Sequence, residues 1–277
     1  MTCDLYRGLR LPSGFGLHDQ KSVECIICDQ YMSHLAKLHV FDKEDTDPDD
    51  VGPTPDRFGL VYGHHDYWKK FDNKIKKLKR KSGRHTTYKV VWLGRHGEGY
   101  HNVAQSYYGD KAWDEKWARK NGNGTITWGP DSKLTNLGIS QAERVHSLWQ
   151  RELAHGGSIA HPTALFVSPL SRAMSTLEIT YAGIVTNDTK LEPLIMENLR
   201  DTYGLRTADK RVKKTLIHLT YPSFRFEDGF TEEDELWMPG EREKEEHREK
   251  RTAKALDEIL RVKDTCGSCF YLQSRCC

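Results

Sequence analysis

Two short apolar runs constrain this chain more than anything else in it. Lys89-Val90-Val91-Trp92-Leu93 is apolar from Val90 onward and stops at Gly94. Ala164-Leu165-Phe166-Val167 repeats the pattern and stops at Ser168-Pro169. A run of this length with no polar alternation suits a fully buried strand. Between the two, Leu134-Thr135-Asn136-Leu137-Gly138 opens a helix. Thr135 stands at its N-cap, and Gln141, Ala142, Val145, Leu148 and Trp149 continue the helical spacing. His155-Gly156-Gly157 marks its C-terminal end. Ser168-Pro169-Leu170-Ser171-Arg172 starts another helix, and Leu191–Met196 reads as a third strand. Residues Glu241–Val262 are strongly charged, with Leu256, Ile259 and Leu260 as apolar positions, and read as a long exposed helix. Strands alternating with helices imply an α/β fold. We expect a three-layer sandwich with a mostly parallel central sheet flanked by helices, and no internal repeat.

The first 85 residues read differently. Residues 1–60 look irregular, with an acidic stretch at Asp42, Glu44, Asp45, Asp47, Asp49 and Asp50 followed by Pro53 and Pro55. Trp68, Phe71, Ile75 and Leu78 then recur at helical spacing, while the other faces carry lysines from Lys69 to Lys81. The basic face reads as the solvated side of an amphipathic helix packed on the domain. A localisation signal or an anion-binding surface is the competing reading. The chain is therefore divided into an N-terminal extension, 1–85, and a domain spanning 86–277.

Composition excludes several classes. Charged residues make up 30% of the chain, but the net charge is only +2, which gives no general case for nucleic acid as a partner. No apolar run approaches the ~20 residues of a membrane helix, and the N-terminus lacks a signal-peptide core. Cytosol or nucleus, with reduced thiols, is the expected location. Cys25-Ile-Ile-Cys28 and Cys266-Gly-Ser-Cys269 are each C-x-x-C, but most of the chain lies between them. Zinc modules place their pairs about 20 residues apart, so free thiols are expected and no metal site.

The chemistry concentrates at the strand ends, where open α/β sheets bind ligands. Gly94-Arg95-His96-Gly97 follows the first strand, and Ser168, Ser171 and Arg172 follow the second. Two arginines would converge on one crevice, and guanidinium forks match phosphate oxygens. The glycines beside His96 let a ligand approach the backbone. A histidine between two arginines is suited to attack a phosphorus whose oxygens they neutralise. The aromatic-rich segment holding Trp113, Trp117 and Trp128 reads as a cap over the pocket, or else as the core of an insertion. His101, one turn beyond His96, is equally a substrate contact or a structural residue.

Taken in order, Arg95-His96-Gly97, then Leu134–Ala142, then Val167–Ala173 resemble the histidine phosphatase superfamily, also called phosphoglycerate mutase-like. Leu93–Ala104 and Glu197–Arg211 resemble its fungal phosphomutase-like branch. The resemblance implies that His96 is the nucleophile, forming a phosphohistidine, and that Arg95, Arg172 and Asn102 bind the phosphoryl oxygens. It implies an acid within Asn198-Leu199-Arg200-Asp201-Thr202-Tyr203-Gly204 that protonates the leaving oxygen. Asp201 is the first choice and Glu197 the second. Partial burial should raise the pKa of such an acid. No cofactor or metal is implied, and the partner is a small-molecule phosphate ester, with no membrane involved.

The family also uses a second histidine after a late strand. Downstream of Asp201 the histidines are His218 and His247, and neither follows an apolar strand or precedes a glycine. His155-Gly156-Gly157 has the letters but precedes the second arginine motif. The expectation is a domain truncated at its C-terminal end, with the last strand missing or altered. Function is expected to be phosphate transfer from a small ester to His96 and then to water. The alternatives are an impaired phosphate-binding remnant and a phosphomutase.

Overall fold

The structure is a computed structural model, and it describes residues 23–29, 56–59, 66–81, 87–154, 159, 161–184, 191–262 and 268–271. The acidic stretch at 42–50 and the His155-Gly156-Gly157 segment lie outside the described residues. A six-stranded sheet organises the fold: β1 (Val23–Asp29), β2 (Thr87–Gly94), β3 (Ala164–Val167), β4 (Leu194–Ile195), β5 (Arg225–Phe226) and β6 (Ser268–Tyr271), in the spatial order β1-β2-β6-β3-β4-β5. Every pairing is parallel.

The side chains of β2 and β3 alternate between two apolar layers. Val90, Trp92, Leu165 and Val167 join one core cluster with α1 (Tyr67–Lys81), α4 (Asn136–Ala154) and α5 (Ser171–Tyr181). Val91 and Phe166 join the opposite cluster, with Ala255 and Ile259 of α7 (Glu245–Arg261). Both faces being covered is why these strands carry no polar alternation. The expected α/β three-layer architecture is therefore present.

Several elements refine the expectations. Residues 1–60 are not irregular throughout, because Val23–Asp29 pairs along its whole length with Thr87–Leu93. The sheet position of a late strand is filled by Ser268–Tyr271, paired with β2 on one side and β3 on the other. Of the two expectations for that strand, missing or altered, the described residues fit the second. In sequence, Leu272-Gln273-Ser274 follow it and no histidine does. Cys28 and Cys269 both register against Trp92, from opposite sides. Two strand spacings, about 10 Å, separate their backbones, too far for a disulfide.

The segment before residue 86 also shares the main core. Tyr67, Trp68, Phe71 and Ile75 are buried with Trp92 and Trp149. The buried Glu152 of α4 accepts hydrogen bonds from the Tyr67 hydroxyl at 2.5 Å and Trp68 Nε1 at 3.0 Å. Burial and the Glu152 carboxylate push the Tyr67 phenol up to about 12. The lysines at 69, 70, 76, 77, 79 and 81 are exposed on the other side of α1, as a packed amphipathic helix requires. Trp113 and Trp128 are buried with Ala104 and Ala118 in a cluster of their own, and Trp117 stacks on Tyr108 at 4.2 Å. These tryptophans are the core of the insertion.

Candidate active site

The loop after β2 is fastened to the start of α4 by a contact between two backbones. A Cβ on Gly97 would lie 2.2 Å from the Gly138 carbonyl oxygen, and one on Gly138 would lie 2.1 Å from that of Glu98. Only glycine permits this approach. Thr135 accepts a hydrogen bond from the Gly138 N–H at 3.1 Å, the N-cap role its position implied. Its hydroxyl donates to the Glu98 carboxylate at 2.6 Å and its N–H to the Glu98 carbonyl at 2.9 Å. The Glu98 N–H donates to Gln141 Oε1 at 2.7 Å. The Arg95-His96-Gly97 and Leu134–Ala142 motifs are thus one structural unit.

Within that unit His96 is buried, with its Nδ1 2.6 Å from the carbonyl oxygen of Gly97. A carbonyl only accepts, so Nδ1 carries the proton and Nε2 presents its lone pair. The Gly97 N–H donates to Thr176 of α5, whose hydroxyl donates to the Arg172 carbonyl at 2.7 Å. Burial, then the charges of Arg172 and Arg95, hold the His96 imidazole well below the ordinary histidine range. It is therefore neutral at physiological pH, as a nitrogen nucleophile must be.

Arg172 is fully buried in the first turn of α5. Its guanidinium donates to the Ala208 carbonyl at 2.7 Å and to Asp209 at 2.9 Å. Asp201 Oδ2 stands 3.8 Å from the same guanidinium, and its other oxygen accepts from the Thr202 N–H at 2.7 Å. Burial and the neighbouring Asp209 raise the Asp201 pKa, and Arg172 only partly opposes them. Asp209 is held ionised below the usual carboxylate range: the charges of Arg172 and Arg242 outweigh its burial. The two carboxylates thus share one arginine but titrate in opposite directions.

The other expected residues fall into place unevenly. Asn102 uses Oδ1 to accept from the Gly99 N–H at 2.9 Å, which caps α2 (Tyr100–Tyr108) and turns its amide NH2 outward from that bond. The His101 ring lies 5.4 Å from that of His96, and its backbone N–H donates to Ser132. Glu197 pairs with two other arginines. Its carboxylate accepts from Arg200 at 3.1 Å and from Arg211 at 2.5 Å. Arg200 in turn grips Asp234 with both nitrogens, at 2.8 and 2.7 Å. Of the two candidate proton donors, Asp201 is the one that meets Arg172.

Two residues were not singled out by sequence reasoning. Asp209 lies inside the Glu197–Arg211 stretch, and a buried arginine such as Arg172 requires a buried anion, but sequence alone does not say which. Asp131 accepts from the Ser171 N–H and hydroxyl, both at 2.8 Å, and so holds the start of α5. Burial raises its pKa to about 6.

This geometry coincides with sequence relationships. The profile of the "Histidine phosphatase superfamily (branch 1)" matches residues 91–265. The chain is 40% identical over 194 residues to a "Probable phosphoglycerate mutase" of Arthroderma benhamiae, covering 70% of this chain and 57% of that protein. It is 38% identical over 172 residues to "Phosphomutase-like protein 3" of Candida albicans, covering 62% and 52%. A "Probable phosphoglycerate mutase PMU1" of Saccharomyces cerevisiae is 34% identical over 214 residues, covering 71% and 70%. The chain belongs to the histidine phosphatase superfamily, in its fungal phosphomutase-like branch. It spans little more than half the length of the first two of these relatives. Among the described residues no helix is long and apolar enough to cross a membrane.

Proposed function

We propose that this chain is a phosphohydrolase that transfers a phosphoryl group from a small phosphate ester to His96 and then to water. The observation that carries the reading is the setting of His96. Its Nδ1–H is tied to Gly97, which makes Nε2 the lone-pair nitrogen of the ring, and the charges of Arg172 and Arg95 both act on it. In the first step Nε2 attacks phosphorus, the bond from phosphorus to the ester oxygen breaks, and that oxygen takes the proton of Asp201. In the second step the Asp201 carboxylate takes a proton from water as its oxygen attacks phosphorus. The phosphorus–nitrogen bond breaks, leaving neutral His96 and inorganic phosphate. Arg95, Arg172 and the amide of Asn102 bind the phosphoryl oxygens throughout. Replacing water by a second hydroxyl would make the same site a mutase.

The test is trapping of the intermediate. With a phosphate ester labelled at phosphorus, a quenched reaction should leave acid-labile, base-stable label on the wild type and none on His96→Ala. Equal ester hydrolysis by the two proteins would refute the assignment. A second reading, phosphate binding with little turnover, draws on Leu272-Gln273-Ser274, which stand after β6 where the family's second histidine is expected. It requires phosphate binding that depends on Arg95, with no label transferred to His96.

A further inference from the structure

A second concentration of positive charge lies beside the wall that supports Arg172. An open, cleft-like cavity of about 490 Å³, within the range of small-molecule sites, is lined by Arg119, Lys120, Asn121, Pro130, Thr207, Lys210 and Trp237. Among the described residues none of the three cations takes part in an ion pair. Two are held by aromatic faces instead. Lys120 Nζ lies 5.0 Å from the Trp117 ring and Lys210 Nζ 4.8 Å from the Trp237 ring, contacts that hold an ammonium while leaving its charge uncompensated.

The segments that carry these groups are tied together. The Thr207 hydroxyl donates to the Lys120 carbonyl at 2.6 Å, and Trp237 Nε1 donates to the Arg206 carbonyl at 2.8 Å. The Asn121 carbonyl accepts from the N–H groups of Trp128 and Gly129. The cavity also adjoins the candidate active site. Thr207 lines it, and the next residue, Ala208, is the carbonyl partner of Arg172. Pro130 lines it, and the next residue, Asp131, holds Ser171.

We propose that this cavity is an anion-binding subsite, distinct from His96, that takes a phosphate or carboxylate group of a small organic molecule. Arg119, Lys120 and Lys210, none of them ion-paired among the described residues, line it together with Asn121, and Trp237 and Pro130 add apolar surface. The anion could be a second charged group on the substrate itself, or a separate effector. The first case rests on the phosphohydrolase reading and the second does not.

The experiment is titration with inorganic pyrophosphate, read by Trp237 fluorescence, using Trp237→Phe to isolate that signal. In the wild type the signal should change, and sodium chloride should weaken the response. Lys120→Gln/Lys210→Gln should weaken binding at least about tenfold, while His96→Ala should bind as the wild type does. Circular dichroism and a urea midpoint matching the wild type establish that the double variant is folded. Arg119→Gln, on the exposed side, gives a second and milder test in the same direction. Unaltered binding in the double variant, or a response lost in His96→Ala, would overturn the proposal.

Kinetics then separate the two sources of the anion. If the anion is part of the substrate, the double variant raises KM for an ester carrying a second phosphate and leaves KM for p-nitrophenyl phosphate unchanged. If it is an effector, both KM values hold and only pyrophosphate binding is lost. The fluorescence response does not require turnover, so a failed phosphohistidine test would leave it standing.

Discussion

Arg172 is claimed by two carboxylates, and the difference between them organises the chemistry. Asp209 faces both Arg172 and Arg242, at 2.9 and 3.1 Å, and stays charged. Asp201 sees Arg172 only at 3.8 Å and has Asp209 as a negative neighbour. A group that must deliver a proton and later accept one needs this raised pKa. Replacing Asp209 with Asn should therefore move the descending, alkaline limb of the pH–rate profile to lower pH, because Asp201 would ionise earlier. The ascending limb, set by His96, should lie well below the ordinary histidine range. A change in kcat with both limbs unmoved would reduce Asp209 to a structural role. Asp131 gives a separate expectation in folding. Its folded pKa is raised, so the stability it contributes is full below its ordinary 3.8 and is lost as pH rises to about 6. Asp131→Asn should flatten that loss, measured as urea midpoints at pH 4.5 and pH 6.5. Neither Asp209 nor Asp131 was legible in the sequence. Arg95, His96 and Arg172 were, because Arg95-His96 stands at the end of one apolar run and Arg172 opens the helix that follows the next. A carboxylate that pairs with them from a distant loop has no local signature.

At the scale of elements, the site depends on how a loop and a helix start are joined. Thr135 caps α4 and also holds Glu98, so its loss removes more than a cap. Thr135→Ala should cost about 1 kcal/mol for the cap alone, with a further loss of activity as the loop holding His96 loosens. Gly138→Ala is the sharper variant. Its added carbon would be driven into the Glu98 backbone, and overpacking of this kind typically costs about 1–3 kcal/mol. Thermal unfolding should show both losses, the second the larger. The start of α4 was readable because Thr and Gly at that spacing carry local meaning. Leu191–Met196 was readable only loosely: the strand proper is Leu194–Ile195, and Glu197–Leu199 turns at once into a one-turn helix. The role of the tryptophans was open in the sequence, since a cap and a small core share one composition. Contacts among Trp113, Trp128, Ala104 and Ala118 decide it.

For the molecule as a whole, the consequential strand is the last. Among the described residues β2 and β3 do not pair with one another; each pairs with β6. The sheet is therefore two halves, β1-β2 and β3-β4-β5, joined by Ser268–Tyr271. From the sequence this strand is expected only as missing or altered, because Cys266-Gly-Ser-Cys269 reads as thiol chemistry and Ser268–Tyr271 is short. Its identity depends on partners more than 90 residues away in the chain, Leu165 and Trp92. Its register also matters to the site, because Tyr271 stands beside Gly94, the residue before Arg95. A chain ending after Val262 would leave β2 and β3 with facing unpaired edges, a configuration that invites association with other chains. Such a chain should elute as oligomers in size-exclusion chromatography and lose the cooperative urea transition expected of the 277-residue chain. A monomer with the midpoint of the 277-residue chain would show that β6 does not join the halves. In that case the position of His96 relative to Arg172 would rest on α4 and α5 alone, which the Gly138→Ala variant measures independently.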